Sequence, residues 1–188
     1  RSNGLKKYSG EWKDGYYNGI GIDYYFYNRN MTDIVRYKGY FKNGKYDGHG
    51  KFQDLDGFDL YEGEFKNGLR EGLHKEWFRS GHLKDEINYY NGNKNGEFKY
   101  WDDRGQLVTE GHYVNGELDG LIKEWYHNGN IKLEVNYKAG LMHGLRTEWY
   151  KSGHKWSEQV MENGYVVSGK HFYNDGSEIT HGNLINRD

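Results

Sequence analysis

The strongest constraint in this sequence is a period of 24 residues. Steps of 24 residues from Gly68 reach Gly92, Gly116, Gly140 and Gly164. Tryptophan and glutamate recur with the same stride, at Trp77, Trp101, Trp125 and Trp149 and at Glu62, Glu86, Glu110, Glu134 and Glu158. A regular period of roughly 20–50 residues is the signature of a repeat architecture, in which each repeat packs on its neighbours. The sequence therefore predicts one repeat domain over residues 1–188.

The period divides the chain into seven repeats. The first has 29 residues, and its extra residues lie within the segment 23–36. The predicted repeats are 8–36, 37–60, 61–84, 85–108, 109–132, 133–156 and 157–180. The last repeat departs from the pattern, because Met161 stands at an aromatic position and Ser168 at a glycine position. Terminal repeats are atypical in this way, so the last repeat is predicted to be a cap.

Each repeat has the pattern of a β-hairpin. In residues 61–66, apolar or small residues alternate with charged ones, which predicts a strand with one apolar and one charged face. Asn67-Gly68 follows, and Asn-Gly is a strong signal for a two-residue hairpin turn. A second strand is predicted from about Gly72 to Phe78, before the chain turns into the next repeat. The predicted fold class is therefore all-β, an elongated array of about seven antiparallel hairpins in a single twisted sheet.

Composition argues against several classes of function. The formal net charge is −2 and no basic cluster is present, whereas a nucleic-acid-binding protein shows a clustered positive surface. No apolar run approaches the roughly 18 residues that a transmembrane helix requires. The chain has no cysteine, so disulfides and thiolate metal sites are excluded, although this leaves the cellular compartment open.

The first repeats resemble the MORN repeat. The pattern Tyr-x-Gly-x-Trp/Phe-x-x-Gly-x-x-x-Gly-x-Gly stands at 8–21 and 37–50. The segment 61–72 begins in the same way, but His74 stands where the final glycine would fall. This resemblance implies a chain of β-hairpins with protein or lipid bound at its surface.

The later repeats resemble the MORN-variant repeat of bacterial proteins that are described as antitoxins or immunity proteins. Their pattern, Gly-x-x-x-x-Trp-Tyr/Phe-x-x-Gly-x-Leu/Ile-Lys, stands at 72–84 and 120–132. Two repeats depart from it, with Asp102 in the tyrosine position and Lys155 in the leucine position. Neither pattern carries a catalytic residue.

The polar residues of the repeats suggest no chemistry. The nine histidines show no metal-ligand spacing, and we interpret them as solvated residues of turns and strands. The recurring glutamates share one environment, whereas paired catalytic carboxylates need unlike environments. Lys75, Lys99 and Lys123 recur in the other strand and are expected to pair with these glutamates across strands. We therefore predict no catalytic residue, no metal and no cofactor.

The aromatic residues are the best candidates for binding a partner. The tryptophans are expected to pack hairpins together, whereas Phe78, Tyr126 and Tyr150 differ from them in parity and are expected on the opposite face. Rigid aromatic side chains are favoured anchors at protein interfaces. A second candidate contact is the insertion in the first repeat, which contains Tyr24, Tyr25, Phe26 and Tyr27.

The sequence favours a non-enzymatic scaffold that binds another protein. Its narrowest form, implied by the resemblance alone, is an antitoxin or immunity protein that neutralises a toxin. One alternative is a membrane-associated scaffold for anionic lipids, although Lys75, Lys99 and Lys123 are fewer than the usual clusters of about 4–8 basic residues. The other is an accessory domain of a larger enzyme, because the chain begins with Arg1 rather than methionine.

Overall fold

The computed structural model describes residues 7–25 and 34–180, and every regular element in these ranges is a β-strand. The strands are β1 (Tyr8–Lys13), β2 (Tyr16–Tyr24), β3 (Val35–Lys42), β4 (Lys45–Gln53), β5 (Asp59–Lys66), β6 (Leu69–Trp77), β7 (Leu83–Tyr90), β8 (Asn93–Trp101), β9 (Leu107–Val114), β10 (Glu117–Leu118), β11 (Gly120–Trp125), β12 (Ile131–Lys138), β13 (Leu141–Trp149), β14 (Lys155–Glu162) and β15 (Tyr165–His171). The predicted all-β fold is confirmed.

The chain forms two compact lobes. The N-terminal lobe contains the described residues up to Lys94 together with 103–105, and the C-terminal lobe contains 95–102 and the described residues from Gln106 onward. In the N-terminal lobe, β1 to β7 follow one another as antiparallel neighbours. In the C-terminal lobe the order is β8-β9-β11-β12-β13-β14-β15, and the short β10 pairs with β9. The hairpin array predicted from the period is thus present in each lobe.

Two-residue turns close the hairpins, as Asn-Gly pairs predict. Asn67 has a φ of 52° and Gly68 a φ of 86°, so both lie in the left-handed region that such turns require. The same positive φ recurs at the first turn residue of the other hairpins, at Asp14, Asn43, Asn91, Asn115, Ala139 and Asn163. Ala139 is the exception in chemistry, because alanine lacks the polar side chain that makes this conformation less costly for asparagine and aspartate.

Replacing Ala139 with asparagine is expected to stabilise the protein by about 0.5–1 kcal/mol, since the left-handed conformation costs an ordinary L-residue about 1–2 kcal/mol. Asn115→Ala, at the equivalent position one repeat earlier, is the matched reverse change and should destabilise by a similar amount. Denaturant unfolding of both variants measures the two effects. Destabilisation by Ala139→Asn would contradict this account of the turn.

The second strand of a hairpin begins earlier than predicted. Strand β6 starts at Leu69, directly after the turn, and ends at Trp77. Gly72, predicted as the approximate strand start, lies inside β6 with a φ of 67°. The register between β5 and β6 shifts between Gly63 and Glu64, opposite this glycine. Gly72 is therefore a bulge residue, whose conformation glycine adopts without steric cost.

Hydrogen bonds join several of the two-residue hairpin turns to the preceding hairpin. The Gly68 N–H donates to the Tyr46 carbonyl at 2.8 Å, and the Asn67 N–H donates to the Asp47 carboxylate at 3.0 Å. The equivalent glycine bonds join Gly44 to Tyr17, Gly92 to Arg70, Gly140 to Leu118 and Gly164 to Met142. The equivalent side-chain bonds join Asn91 to Glu71, Asn115 to Asn95 and Ala139 to Asp119. Each of these turns is thus completed by groups from the preceding hairpin.

The N-terminal lobe has an aromatic face. Tyr37, Phe41 and Phe65 are buried there, and they pack with Tyr8, Tyr17, Tyr46, Phe52 and Tyr61. The ring of Tyr37 lies over Gly50, where a Cβ would come within 2.1 Å of the tyrosine oxygen. Glycine is therefore required at this position, because the ring already fills the space of a side chain.

The opposite, charged face carries the predicted cross-strand pairs. Lys75 lies between Glu62 and Glu86 in the strand register, and its Nζ is 3.1 Å from a carboxylate oxygen of Glu86. In the C-terminal lobe, Lys123 Nζ lies 3.4 Å from a carboxylate oxygen of Glu134. The expected pairing of the recurring lysines and glutamates is confirmed for these two pairs.

Candidate functional site

His74 is buried in the N-terminal lobe, with 1% of its surface exposed. Its Nε2–H donates to the Glu64 carbonyl at 2.7 Å, and its Nδ1 accepts a hydrogen bond from the Tyr61 hydroxyl. Burial lowers the pKa of His74 to about 4, so the imidazole is neutral at pH 7. The interpretation of this histidine as a solvated residue is wrong, because its position in the repeat is the inward-facing one that Gly50 and Phe98 hold.

A cleft of about 460 Å³ opens on the aromatic face of the N-terminal lobe. It arises because alternate residues of β4, β5 and β6 point to this face and bring large rings next to glycine. Its lining residues are Tyr25, Tyr46, Phe52, Gln53, Leu60, Tyr61, Phe65, Gly68, Arg70 and Glu76.

A second cleft of about 350 Å³ adjoins the first and shares Tyr46 and Gly68 with it. Its other lining residues are Lys7, Tyr17, Asp23, Arg36, Phe41, Gly44 and Lys45. We call the two clefts together the aromatic groove.

The rings of the aromatic groove hold one another in place. Tyr46 lies 4.0 Å from Tyr37 and 5.4 Å from Phe52 between ring centroids, and Phe52 lies 5.9 Å from Phe65. The Tyr46 hydroxyl also donates to Asp23 at 3.1 Å. Offset and edge-to-face ring pairs of this kind each add about 0.5–1.5 kcal/mol beyond the burial of their area. The floor of the groove is therefore a layer of rings packed against one another.

Arg70 is fixed at the groove by two tyrosines. Its guanidinium carbon lies 4.5 Å from the ring centroid of Tyr61 and 5.0 Å from that of Tyr89. Its Nη1 donates to the Tyr89 hydroxyl at 2.8 Å. The cation is thus held by two aromatic rings and one hydrogen bond.

Phe78, Tyr126 and Tyr150 lie in turns, each directly after the end of a strand. Strand parity therefore does not fix the direction of their side chains. All three are half-buried, and the hydroxyls of Tyr126 and Tyr150 donate to the next repeat, at the carbonyls of Trp149 (2.7 Å) and Phe172 (3.0 Å). Phe78 belongs to the N-terminal lobe and the tyrosines to the C-terminal lobe. Partner binding by these three residues stays a prediction.

The insertion contributes one residue to the aromatic groove. Tyr25 lines the larger cleft, and its hydroxyl donates to the Gln53 carbonyl at 3.0 Å. Tyr24 ends β2 opposite Val35. Phe26 and Tyr27, the other two predicted contact residues of this segment, lie outside the described residues.

Sequence reasoning missed most of the groove. The alternation in residues 61–66 places Tyr61 and Phe65 on the apolar face but gives them no binding role, and Arg70 belongs to neither repeat pattern. The signal available was the shared repeat position of Tyr37 with Tyr61 and of Phe41 with Phe65. Successive repeats that place aromatics at the same positions form a continuous strip of rings.

Two further findings concern the described parts of the chain. No group of three or more histidine, aspartate or glutamate side chains within 7–25 and 34–180 could hold a metal ion. The same residues contain no helix that is long and apolar enough to cross a membrane.

Comparison with family models identifies two kinds of repeat. The MORN repeat model matches residues 8–22, 37–57 and 61–82. The MORN repeat variant model matches 94–115 and 118–139. Together the matches cover more than half of the chain and confirm the resemblance to MORN repeats, whereas the resemblance to antitoxins stays a hypothesis. No curated protein matches the chain.

Proposed function

Because the chain belongs to the MORN repeat family, whose repeats are generally non-enzymatic scaffolds for protein or lipid, we propose that it binds a protein partner in the aromatic groove. The observation that carries this proposal is the ring-lined groove of the N-terminal lobe. Aromatic pockets are typical sites of binding hot spots, since large rings bury much area with little loss of conformational entropy.

The charged face favours a protein partner over an anionic membrane. Two of the three recurring lysines are paired, Lys75 with Glu86 at 3.1 Å in the N-terminal lobe and Lys123 with Glu134 at 3.4 Å in the C-terminal lobe. Lipid recognition by surface charge needs an unbalanced cluster of basic residues. A face on which lysine and glutamate alternate offers little net attraction to anionic headgroups.

The proposed groove predicts that Tyr25→Ala and Leu60→Ser weaken partner binding by roughly tenfold or more, because each removes apolar contact area from the larger cleft. Leu73→Ser is the matched control, since Leu73 is exposed and does not line the groove. Affinity capture from native lysate with each variant, followed by titration of the stoichiometric protein, measures the effect. Equal affinities for the groove variants and the control would contradict the proposal.

The narrower proposal, that the partner is a toxin, has its own test. Co-expression of the captured protein with the wild-type chain should restore growth, and co-expression with Leu60→Ser should not. A partner that is harmless when expressed alone would contradict the antitoxin role but not protein binding. Flotation with vesicles tests the lipid alternative, which binding to anionic vesicles alone would favour.

A further inference from the structure

We infer that the aromatic groove recognises an acidic peptide segment, in which carboxylates stand beside aromatic or aliphatic side chains. The inference rests on the proposed function and adds the chemistry of the partner. It follows from the charges that line the groove, from the fixed position of Arg70 and from the way the tyrosine hydroxyls are used.

The groove has an excess of positive charge. Its two carboxylates are already paired, Asp23 with Arg36 and Glu76 with Lys84, the latter at 2.5 Å. Three cations that line the groove remain, and they are Lys7, Lys45 and Arg70. None of them makes an ion pair with any residue in 7–25 or 34–180. The charge left to attract a partner is therefore positive.

Arg70 is positioned to bind a carboxylate. Its guanidinium has five N–H groups in a planar fork, and the hydrogen bond to Tyr89 uses Nη1. The flanking rings of Tyr61 and Tyr89 limit its motion, so little side-chain entropy is lost when a ligand binds. A planar fork beside apolar rings favours a bidentate carboxylate over a single hydrogen-bond acceptor.

Three of the four tyrosines that line the groove offer their rings rather than their hydroxyls. Tyr25 donates to the Gln53 carbonyl, Tyr46 to Asp23, and Tyr61 to His74. With these donors committed inside the protein, the rings contribute apolar contact, and the three cations supply the charge selectivity. Two adjoining clefts across neighbouring strands also suit an extended segment, which can place one side chain in each.

Selection of a random peptide library on the immobilised chain tests the inference. The enriched peptides should combine aspartate or glutamate with aromatic or aliphatic residues. In fluorescence anisotropy, Arg70→Gln should weaken their binding by roughly tenfold or more, and Lys45→Gln by less. Lys66→Gln is the matched control, because it makes the same charge change at an exposed residue of the same lobe that lies outside the groove.

A second measurement does not depend on the folding of the variants. Changing the carboxylates of an enriched peptide to amides, with wild-type protein, should cause the same loss. Two outcomes would overturn the inference and leave the proposed function standing. In the first, the enriched peptides lose affinity for Leu60→Ser but are neutral or basic. In the second, they lose affinity for Leu60→Ser, and Arg70→Gln leaves their affinity unchanged. A selection that yields no peptide, or only peptides insensitive to Leu60→Ser, would count against both. Displacement of the acidic peptides by anionic vesicles but not by other acidic peptides would assign the groove to a membrane and overturn the inference.

Discussion

Gly50→Ala is expected to lower the free energy of unfolding by about 3 kcal/mol or more. The new methyl group would lie 2.1 Å from the hydroxyl oxygen of Tyr37 and 2.2 Å from its Cζ, well inside contact distance. The Tyr37 ring has no exposed surface and packs against Phe41, Tyr46 and Phe65 at centroid distances of 5.2, 4.0 and 5.9 Å. It therefore cannot move without disturbing the core of the lobe. Urea unfolding of wild type and variant gives the difference.

Two controls separate this clash from the general cost of replacing glycine. Gly129→Ala has no atom within 4 Å of the new Cβ, so it pays only the cost of alanine at a φ of 84°, about 1–2 kcal/mol. In the double variant Gly50→Ala with Tyr37→Ala, the ring that the new methyl group would clash with is absent. The stability loss of the double variant should therefore be much smaller than the sum of the losses of the two single variants. If Gly50→Ala cost no more than Gly129→Ala, the packing of the ring over the glycine would be wrong.

The stability of the N-terminal lobe is expected to fall by about 3 kcal/mol in total between pH 6.5 and pH 4 because of His74. Burial lowers the pKa of His74 to about 4 from the ordinary value of 6.5, so below pH 6.5 the unfolded chain binds a proton that the folded chain does not. The free energy of unfolding therefore has its full value above pH 6.5, and the part that depends on neutral His74 is lost as the pH falls toward 4. Urea unfolding over this pH range measures the slope.

The variant that isolates this effect is His74→Phe, because Phe98 holds the equivalent position one repeat later. It should flatten the stability profile between pH 4 and 6.5. The buried Asp85 acts in the opposite direction, since burial raises its pKa, and the difference between wild type and His74→Phe cancels it. Identical slopes for wild type and His74→Phe would contradict the assignment.

Local signals were sufficient to predict the all-β hairpins. The alternation in segments such as 61–66 predicts strands, and the recurring Asn-Gly pairs predict hairpin turns. Both signals involve only residues that are neighbours in the sequence, and both predictions were confirmed. The start of β6 was less predictable, because Gly72 can begin a strand or form a bulge inside one. Which of the two Gly72 does depends on the pairing register between β6 and β5, and the sequence of β6 alone does not determine that register.

The candidate site was less predictable than the fold. Parity predicted that Phe78 and Tyr126 project from strands, but the strands end one residue before them. The lack of metal-ligand spacing suggested that His74 is solvated, whereas its repeat position, which it shares with Gly50 and Phe98, is the better guide to its burial. Arg70 is fixed by Tyr61 and Tyr89 from flanking strands, and its contact with both rings depends on side-chain placement across three strands.

The hydrogen bonds that join each hairpin turn to the preceding hairpin have a consequence for how the protein folds during synthesis. In the bonds of Gly68 to Tyr46 and of Gly140 to Leu118, the acceptor always belongs to the hairpin that leaves the ribosome first. A newly synthesised hairpin turn of this kind therefore meets acceptors that are already in place, whereas the hydroxyls of Tyr126 and Tyr150 donate to the repeat that follows. Because domains fold from the N-terminus during synthesis, each lobe can grow hairpin by hairpin on a finished template. Removing a first hairpin should consequently harm its successor more than removing a last hairpin harms its predecessor.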